Sequence, residues 1–251
     1  MLVPTRAEFH ALAKTGKLVP VYREVFADHD TPVSAFRKID DGPYGFLLES
    51  VEGGEKWGRY SILGSRPSLV FIARGGKCEI HEGGRATALE GSPVEELGKL
   101  LKSHQAVPLP GLPRFCGGAV GYLSYDAVRW FEELPDQAKD ELHFPDAVFL
   151  FGDVVSVFDN LTHTMKVVTH ARGGDDADKF YDAAVTRLNA EVERLRKPLA
   201  WIEPPSWGEA SEPKSTVSRE QFMQAVETAK EHIRAGDIFQ VVPSQRFTLH
   251  Q

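Results

Sequence analysis

Residues 147–158 read AVFLFGDVVSVF, a mostly apolar run rich in Val and Phe. The pair Asp159-Asn160, which is typical of turns, follows this run, and the chain continues as MKVVTH over residues 165–170. Apolar, β-prone segments on both sides of a turn signal predict a β-hairpin. Since no apolar run in the chain approaches the roughly 20 residues of a membrane-spanning helix, we expect a soluble protein.

The same reasoning predicts further strands and helices along the chain. Gly75-Gly76 and Gly83-Gly84 are turn signals between short β-prone segments. Ser, Thr or Pro at the start of an amphipathic segment, and Gly at its end, mark helix boundaries. Further strands are predicted at 17–26, 44–50, 68–73, 77–81, 85–89 and 238–249, and helices after Thr31, at 92–103, at 176–196 and from Ser218 to Gly236. Hairpins mixed with separate helices indicate an α+β fold in which antiparallel sheets predominate.

Composition and charge exclude several classes of protein. The 251 residues are 42% hydrophobic and 26% charged, with a formal net charge of −7. This acidic balance argues against a non-specific binder of nucleic acid or of anionic membranes. The two cysteines and the absence of a secretory pattern at the N-terminus predict reduced thiols and a cytoplasmic location.

Local motifs give no catalytic constellation. The nine histidines form no HExxH pair, and the chain contains no GxSxG, GxxxxGK[ST] or GxGxxG motif. His163 and His170 are interpreted as exposed or core-edge side chains rather than as catalytic groups. We therefore assign neither catalytic nor metal-ligating residues from the motifs.

Three longer segments carry a resemblance to a known family. They are LLES at 47–50 with KWGRYSILG at 56–64, GGAVGYLSYDAVR at 117–129, and IRAGDIFQVVPSQRF at 233–247. In this order and spacing, the chain resembles the large subunit, component I, of anthranilate synthase over essentially its whole length. The resemblance implies a sandwich of antiparallel sheets with flanking helices, followed by the start of a chorismate-binding domain.

The resemblance also implies a reaction. Enzymes of this family aminate chorismate with ammonia that a glutamine amidotransferase subunit delivers, and they release pyruvate and anthranilate on the route to tryptophan. Mg²⁺ assists the reaction as a Lewis acid. In the family, the chorismate and magnesium ligands lie later in a longer chain, so we expect Mg²⁺ to be bound outside these 251 residues and this chain alone to be inactive.

A tryptophan feedback site is the functional feature that the resemblance places on this chain. Leu48, Glu49 and Ser50 match the family motif directly, and Arg59 and Ser61 are looser matches for further wall residues. Glu49 and Ser50, at the end of an apolar strand, could receive the ammonium group of the amino acid, and Leu48 could form part of the apolar slot for its indole. From the sequence pattern alone, without the resemblance, Glu49 is interpreted as a solvated carboxylate at the end of a strand.

The resemblance and the composition together divide the chain. We expect a regulatory domain at 1–197, a proline-rich linker at 198–217, and the truncated start of a chorismate-binding domain at 218–251. Two other functions stay open at this point. One is a free-standing amino-acid sensor that uses Leu48, Glu49 and Ser50, and the other is the large subunit of aminodeoxychorismate synthase in folate synthesis.

Overall fold

The structure is a computed structural model that describes residues 2–49, 58–136, 139–199, 203, 208 and 211–249. The chain divides into two compact units, Met1–Leu199 and Ala200–Gln251. The strands are β1 (Leu2–Val3), β2 (Leu18–Phe26), β3 (Gly45–Leu48), β4 (Tyr60–Ser65), β5 (Pro67–Arg74), β6 (Lys77–Glu82), β7 (Arg85–Leu89), β8 (Ala119–Leu123), β9 (Ala147–Gly152), β10 (Val154–Asp159), β11 (Thr164–Arg172), β12 (Lys214–Ser215) and β13 (Phe247–Thr248). The helices are α1 (Arg6–Ala13), α2 (Pro32–Ile39), α3 (Pro93–Ser103), α4 (Ala177–Arg196) and α5 (Arg219–Ala235), with a 3₁₀ helix at Tyr125–Trp130.

The first unit contains two antiparallel sheets. One has six strands in the order β1-β2-β11-β10-β4-β3, and the other has five in the order β7-β6-β5-β9-β8. The predicted hairpin around Asp159-Asn160 is confirmed, because Val154 pairs with Thr169 and Asp159 with Thr164. The predicted α+β fold with antiparallel sheets and flanking helices is therefore confirmed.

The apolar run at 147–158 is shared between the two sheets. Its first half is β9 of the five-stranded sheet, and its second half is β10 of the six-stranded sheet. The chain crosses between them at Asp153, and it crosses a second time at Arg66, between β4 and β5. Arg66 has a φ of 49°, a backbone conformation that is uncommon for a residue with a side chain. These two crossings tie the sheets together.

Each sheet has its own hydrophobic core. Helices α1, α2 and α4 cover the six-stranded sheet, where Phe9, Ile39 and Leu188 are buried among its Val and Met side chains. Helix α3 covers the five-stranded sheet over Phe71 and Phe151. The opposite faces of both sheets also carry buried residues, namely Tyr22, Val155, Val168, Val70 and Leu150. Burial on both faces fits two sheets that pack face to face, the sandwich that the sequence predicts.

Capping residues set the helix boundaries where the sequence predicts them. Thr31 and Ser34 form a reciprocal capping box before α2, and Ser218 and Gln221 form one before α5. The hydroxyl of Ser92 accepts a hydrogen bond from the backbone of α3. Helix α5 ends at Gly236, which has a φ of 85° and thus the left-handed conformation that glycine adopts readily.

The predicted strand at 238–249 is wrong over most of its length. Only Phe247–Thr248 is a strand, and it pairs with Lys214–Ser215. A strand forms only where a neighbour accepts its backbone hydrogen bonds, and in this unit the described neighbour is two residues long. Gln245 accepts a hydrogen bond of 2.8 Å from the Ser215 hydroxyl, which is a structural contact beside that short pairing.

Candidate functional site

The described residues of the predicted tryptophan site lie at the end of the edge strand β3 and at the start of its neighbour β4. Leu48 ends β3 and lies directly opposite Ile62. Leu48 is 45% exposed, and Glu49 immediately after it is exposed as well. Ser50 lies outside the described residues. The described part of the motif is therefore an accessible apolar side chain followed by an accessible carboxylate.

Arg59 forms an ion pair with Asp159, the last residue of β10. Its Nη2 lies 2.7 Å from Oδ2, and its Nε lies 3.0 Å from Oδ1. The Asp159 side chain is only 4% exposed. Burial alone would raise the pKa of Asp159, but the hydrogen bonds from Arg59 and from the Leu161 backbone outweigh it, so that the pKa is lowered. The carboxylate of Asp159 is thus ionised, and it is hydrogen bonded to the Arg59 guanidinium.

Ser61 faces away from Leu48. Ser61 lies opposite Phe158 and is buried on the side of the sheet that the helices cover. Leu48 pairs with Ile62, and consecutive residues of a strand point to opposite faces. The Ser61 hydroxyl accepts a hydrogen bond of 3.1 Å from the Asn160 amide. It therefore contacts the turn at Asp159-Asn160 rather than the side of the sheet on which Leu48 lies.

The structure thus separates the four described residues of the predicted site into two groups. Leu48 and Glu49 form an accessible strand end that could receive an apolar group and a cation. Arg59 and Ser61 hold the turn that closes the β10–β11 hairpin. Local sequence patterns could not separate these groups, because the partners Asp159 and Asn160 lie 100 and 99 residues from Arg59 and Ser61.

A cleft at the other end of the six-stranded sheet was not predicted from the sequence. It contains His104 and also His170, for which the sequence predicts an exposed or core-edge side chain. Burial, aided by the positive charges of His104 and Arg187, lowers the pKa of His170 to about 4. The imidazole of His170 is therefore neutral near pH 7.

The two thiols and the acidic groups offer no nucleophile or metal centre in the described part of the chain. Burial raises the pKa of both Cys78 and Cys116, which disfavours the reactive thiolate. Across residues 2–49, 58–136, 139–199 and 211–249, no group of three or more His, Cys, Asp or Glu side chains could hold a metal ion. These residues do not fit a Mg²⁺ site, so no chemical step is assigned to a metal here.

Among the described residues, none of the helices combines the length and the hydropathy of a membrane-spanning segment.

Comparison with known proteins gives a consistent result. A family model described as "chorismate binding enzyme" matches residues 46–251. Anthranilate synthase component 1 of Acetivibrio thermocellus is 39% identical over 98% of this chain and 51% of its own length, and that of Pseudomonas putida is 38% identical over 97% and 51%. The crystal structure of anthranilate synthase component I from Streptococcus pneumoniae superposes with a TM-score of 0.62 at 28% identity, covering 89% of this chain and 48% of that one. The chain spans about half the length of these relatives.

Proposed function

Because the chain belongs to the chorismate-binding enzyme family, we propose that it is the N-terminal part of an anthranilate synthase large subunit. The complete subunit would convert chorismate and glutamine-derived ammonia to anthranilate and pyruvate in tryptophan biosynthesis. The observation that carries this proposal is the 39% identity to a component 1 over 98% of the chain. The name component 1 also supports a second component, which we propose to be the glutamine amidotransferase.

We further propose that these 251 residues alone do not form anthranilate. The absence of a three-ligand cluster from the described residues supports binding of Mg²⁺ in another part of the subunit. The chain covers 51% of the first relative, which leaves room for that part. The test mixes the purified chain with chorismate, Mg²⁺ and ammonia and follows the fluorescence of anthranilate. Product above the no-protein control would contradict the proposed inactivity while leaving the family assignment in place.

The regulatory role that we propose is half of a tryptophan feedback site. Glu49 would pair with the ammonium group of tryptophan, and Leu48 would contact the indole, with Ser50 beside them. Their accessibility at the end of β3 supports this assignment for Leu48 and Glu49. Arg59 and Ser61 would act indirectly, through the turn that they hold.

Two substitutions in the complete enzyme test the feedback site. Ser50→Phe would fill the site, and Glu49→Gln would remove the partner of the ammonium group, so each should raise the tryptophan concentration for half-inhibition by about tenfold or more. Glu90→Gln removes an exposed carboxylate elsewhere and serves as the control. Unchanged inhibition in both test variants would remove LLES from the site.

Two assays separate the remaining alternatives. Product analysis of the complete enzyme with chorismate and ammonia distinguishes anthranilate from aminodeoxychorismate. Calorimetry of the present chain with L-tryptophan tests the free-standing sensor, which requires binding without any further domain. We expect weak or no heat at millimolar tryptophan, because the chain supplies only one wall of the proposed site.

A further inference from the structure

A cleft of about 910 Å³ opens in the first unit where β2 begins and β11 ends. The C-terminal turn of α3 and one face of α4 form its other walls. This volume is typical of sites for small organic ligands. The cleft is at the Val154–Thr169 end of the six-stranded sheet, beside β2 and β11. Leu48 lies on the edge strand β3, which β10 and β4 separate from β11.

Positive side chains dominate the charge of this cleft. Lys17, Lys102, Arg172 and Arg187 line it, against the two carboxylates of Glu82 and Asp153. Within the described part of the chain, none of these four cations forms an ion pair, whereas Arg6, Arg59, Arg66 and Arg194 elsewhere in the unit all do. In a protein of net charge −7, such a concentration of unpaired cations creates a local positive potential.

Arg187 is held in place at the wall of the cleft. Its Nη2 donates to the carbonyl oxygen of His170 at 2.8 Å, and its Nε donates to the Thr169 hydroxyl at 3.4 Å. These bonds use backbone and hydroxyl acceptors, so they leave the positive charge uncompensated. A guanidinium that is already ordered loses little conformational freedom when it binds an anion.

The remaining lining gives the cleft an apolar character. Leu18, Ile80, Leu100 and Phe180 contribute to its walls. His104 and His170 add two imidazoles, and the Nδ1 of His104 donates to the Leu100 carbonyl oxygen at 2.8 Å. Cations beside aliphatic and aromatic surface are the combination that recognises an organic anion.

We propose that this cleft binds a small organic anion, with an apolar body against the aliphatic and aromatic walls and a carboxylate or phosphate beside Arg187 and Lys102. The proposal rests on the cleft alone and is independent of the function proposed above. The two headgroups share the same chemistry at this site, and the choice of probe distinguishes them.

Calorimetric titration of the whole chain tests the proposal with three probes that share one ring. Phenylacetate and phenyl phosphate carry the two anionic headgroups, and benzyl alcohol is the neutral analogue. We expect at least one anion to bind with a stoichiometry of one, and the neutral probe to bind at least about tenfold more weakly. No binding of either anion at millimolar concentration, or equal binding of benzyl alcohol, would overturn the proposal.

Two matched pairs of variants locate the binding. Lys102→Gln removes a cation from the cleft, and Lys99→Gln removes an exposed one from the same helix outside it. Ala183→Glu adds a carboxylate to the cleft, and Ala190→Glu adds one at an exposed position seven residues further along α4. The two cleft variants should weaken anion binding about fivefold or more, and the two controls less than twofold. Equal effects within each pair would place the binding elsewhere and refute the cleft site.

Discussion

At the scale of single residues, the Asp159 side chain is fixed by several contacts at the end of the β10–β11 hairpin. Its carboxylate is nearly fully buried and accepts hydrogen bonds from Arg59 and from the backbone of the turn. The pair Asp159-Asn160 predicts the turn from its sequence alone. It does not identify the partner of the Asp159 carboxylate, because Arg59 is 100 residues earlier in the chain. The sequence thus predicts the turn and leaves its main stabilising contact unknown.

We expect Asp159→Asn to lower the free energy of unfolding by about 1–3 kcal/mol, because it removes the partner of Arg59 and a buried charge-assisted acceptor. Urea unfolding measures this change. The control is Asp126→Asn, which removes the partner of Arg129 from a pair in which Asp126 is 57% exposed. We expect less than about 0.5 kcal/mol there, since exposed pairs contribute little. Equal losses would show that the Asp159 pair contributes no more than a surface pair.

His170 gives the protein a predicted dependence on pH. Its pKa is lowered to about 4 in the folded state, whereas an unfolded histidine titrates near 6.5. Between these values, the unfolded state binds more protons, so the contribution of His170 to stability is complete above pH 6.5 and falls as the pH drops toward 4. The full loss would be about 3 kcal/mol.

The variant His170→Gln, which cannot gain this charge, checks that prediction. The free energy of unfolding should fall less between pH 7.5 and 5.0 in the variant than in the unchanged protein. Comparing the two slopes cancels the contributions of the other titrating groups. Parallel slopes would exclude His170 as the source of the acid sensitivity.

At the scale of elements, the second family-like segment is explained by close backbone packing. A Cβ on Gly121 in the edge strand β8 would lie 1.9 Å from the carbonyl oxygen of Val148 in β9. Gly117 is similarly restricted, since a Cβ there would lie 2.2 Å from the His170 ring. Gly117 and Gly121 therefore allow the loop before β8 and β8 itself to approach their neighbours closely.

We expect Gly121→Ala to destabilise the first unit by about 2–4 kcal/mol, because backbone atoms cannot move aside cheaply. Gly98→Ala is the matched substitution in helix α3, where nothing lies within 4 Å of the added methyl group. It should raise stability by about 0.5–1 kcal/mol, the usual difference between Ala and Gly in a helix. Denaturant unfolding gives both values, and a loss at Gly98 as large as that at Gly121 would contradict the packing argument.

Elements whose signals are local were predicted well from the sequence. The helices after Thr31, Ser92 and Ser218 begin at their capping residues, because a cap and its partner are three residues apart. The run at 147–158 shows what local signals cannot predict. Nothing in its composition indicates that β9 and β10 belong to different sheets. The strand predicted at 238–249 failed for the related reason that pairing depends on a distant neighbour.

At the scale of the whole molecule, both hydrophobic cores consist of residues from the first unit. Helix α5 in the second unit has no buried residue among those described. We therefore expect a chain of residues 1–199 to unfold cooperatively, with a urea midpoint within about 0.3 M of that of the full chain. A non-cooperative transition, or a midpoint lowered by more than about 1 M, would show that the second unit is needed for the fold.

The fold class could be predicted from the sequence because hairpins and amphipathic helices are encoded locally. The candidate sites could be predicted only in part. Leu48 and Glu49 are candidates through resemblance alone, whereas the basic cleft combines Lys17 from the loop before β2 with Lys102 from α3 and Arg187 from α4. Such residues come together only when the helices and loops pack on the folded sheets, and local sequence patterns do not contain that information.

The pairing of β2 with β11 has a consequence for synthesis of the protein. Glu24 and Thr164 hydrogen bond although they are 140 residues apart in the chain, and β11 lies between β2 and β10 in the sheet. At roughly 5–20 residues per second, a ribosome needs on the order of ten seconds to make the chain between them. During that interval β2 has only the two-residue strand β1 beside it, so the six-stranded sheet can form only late in translation. A nascent-chain force or protection assay should therefore detect its folding only after residue 172 has left the ribosome.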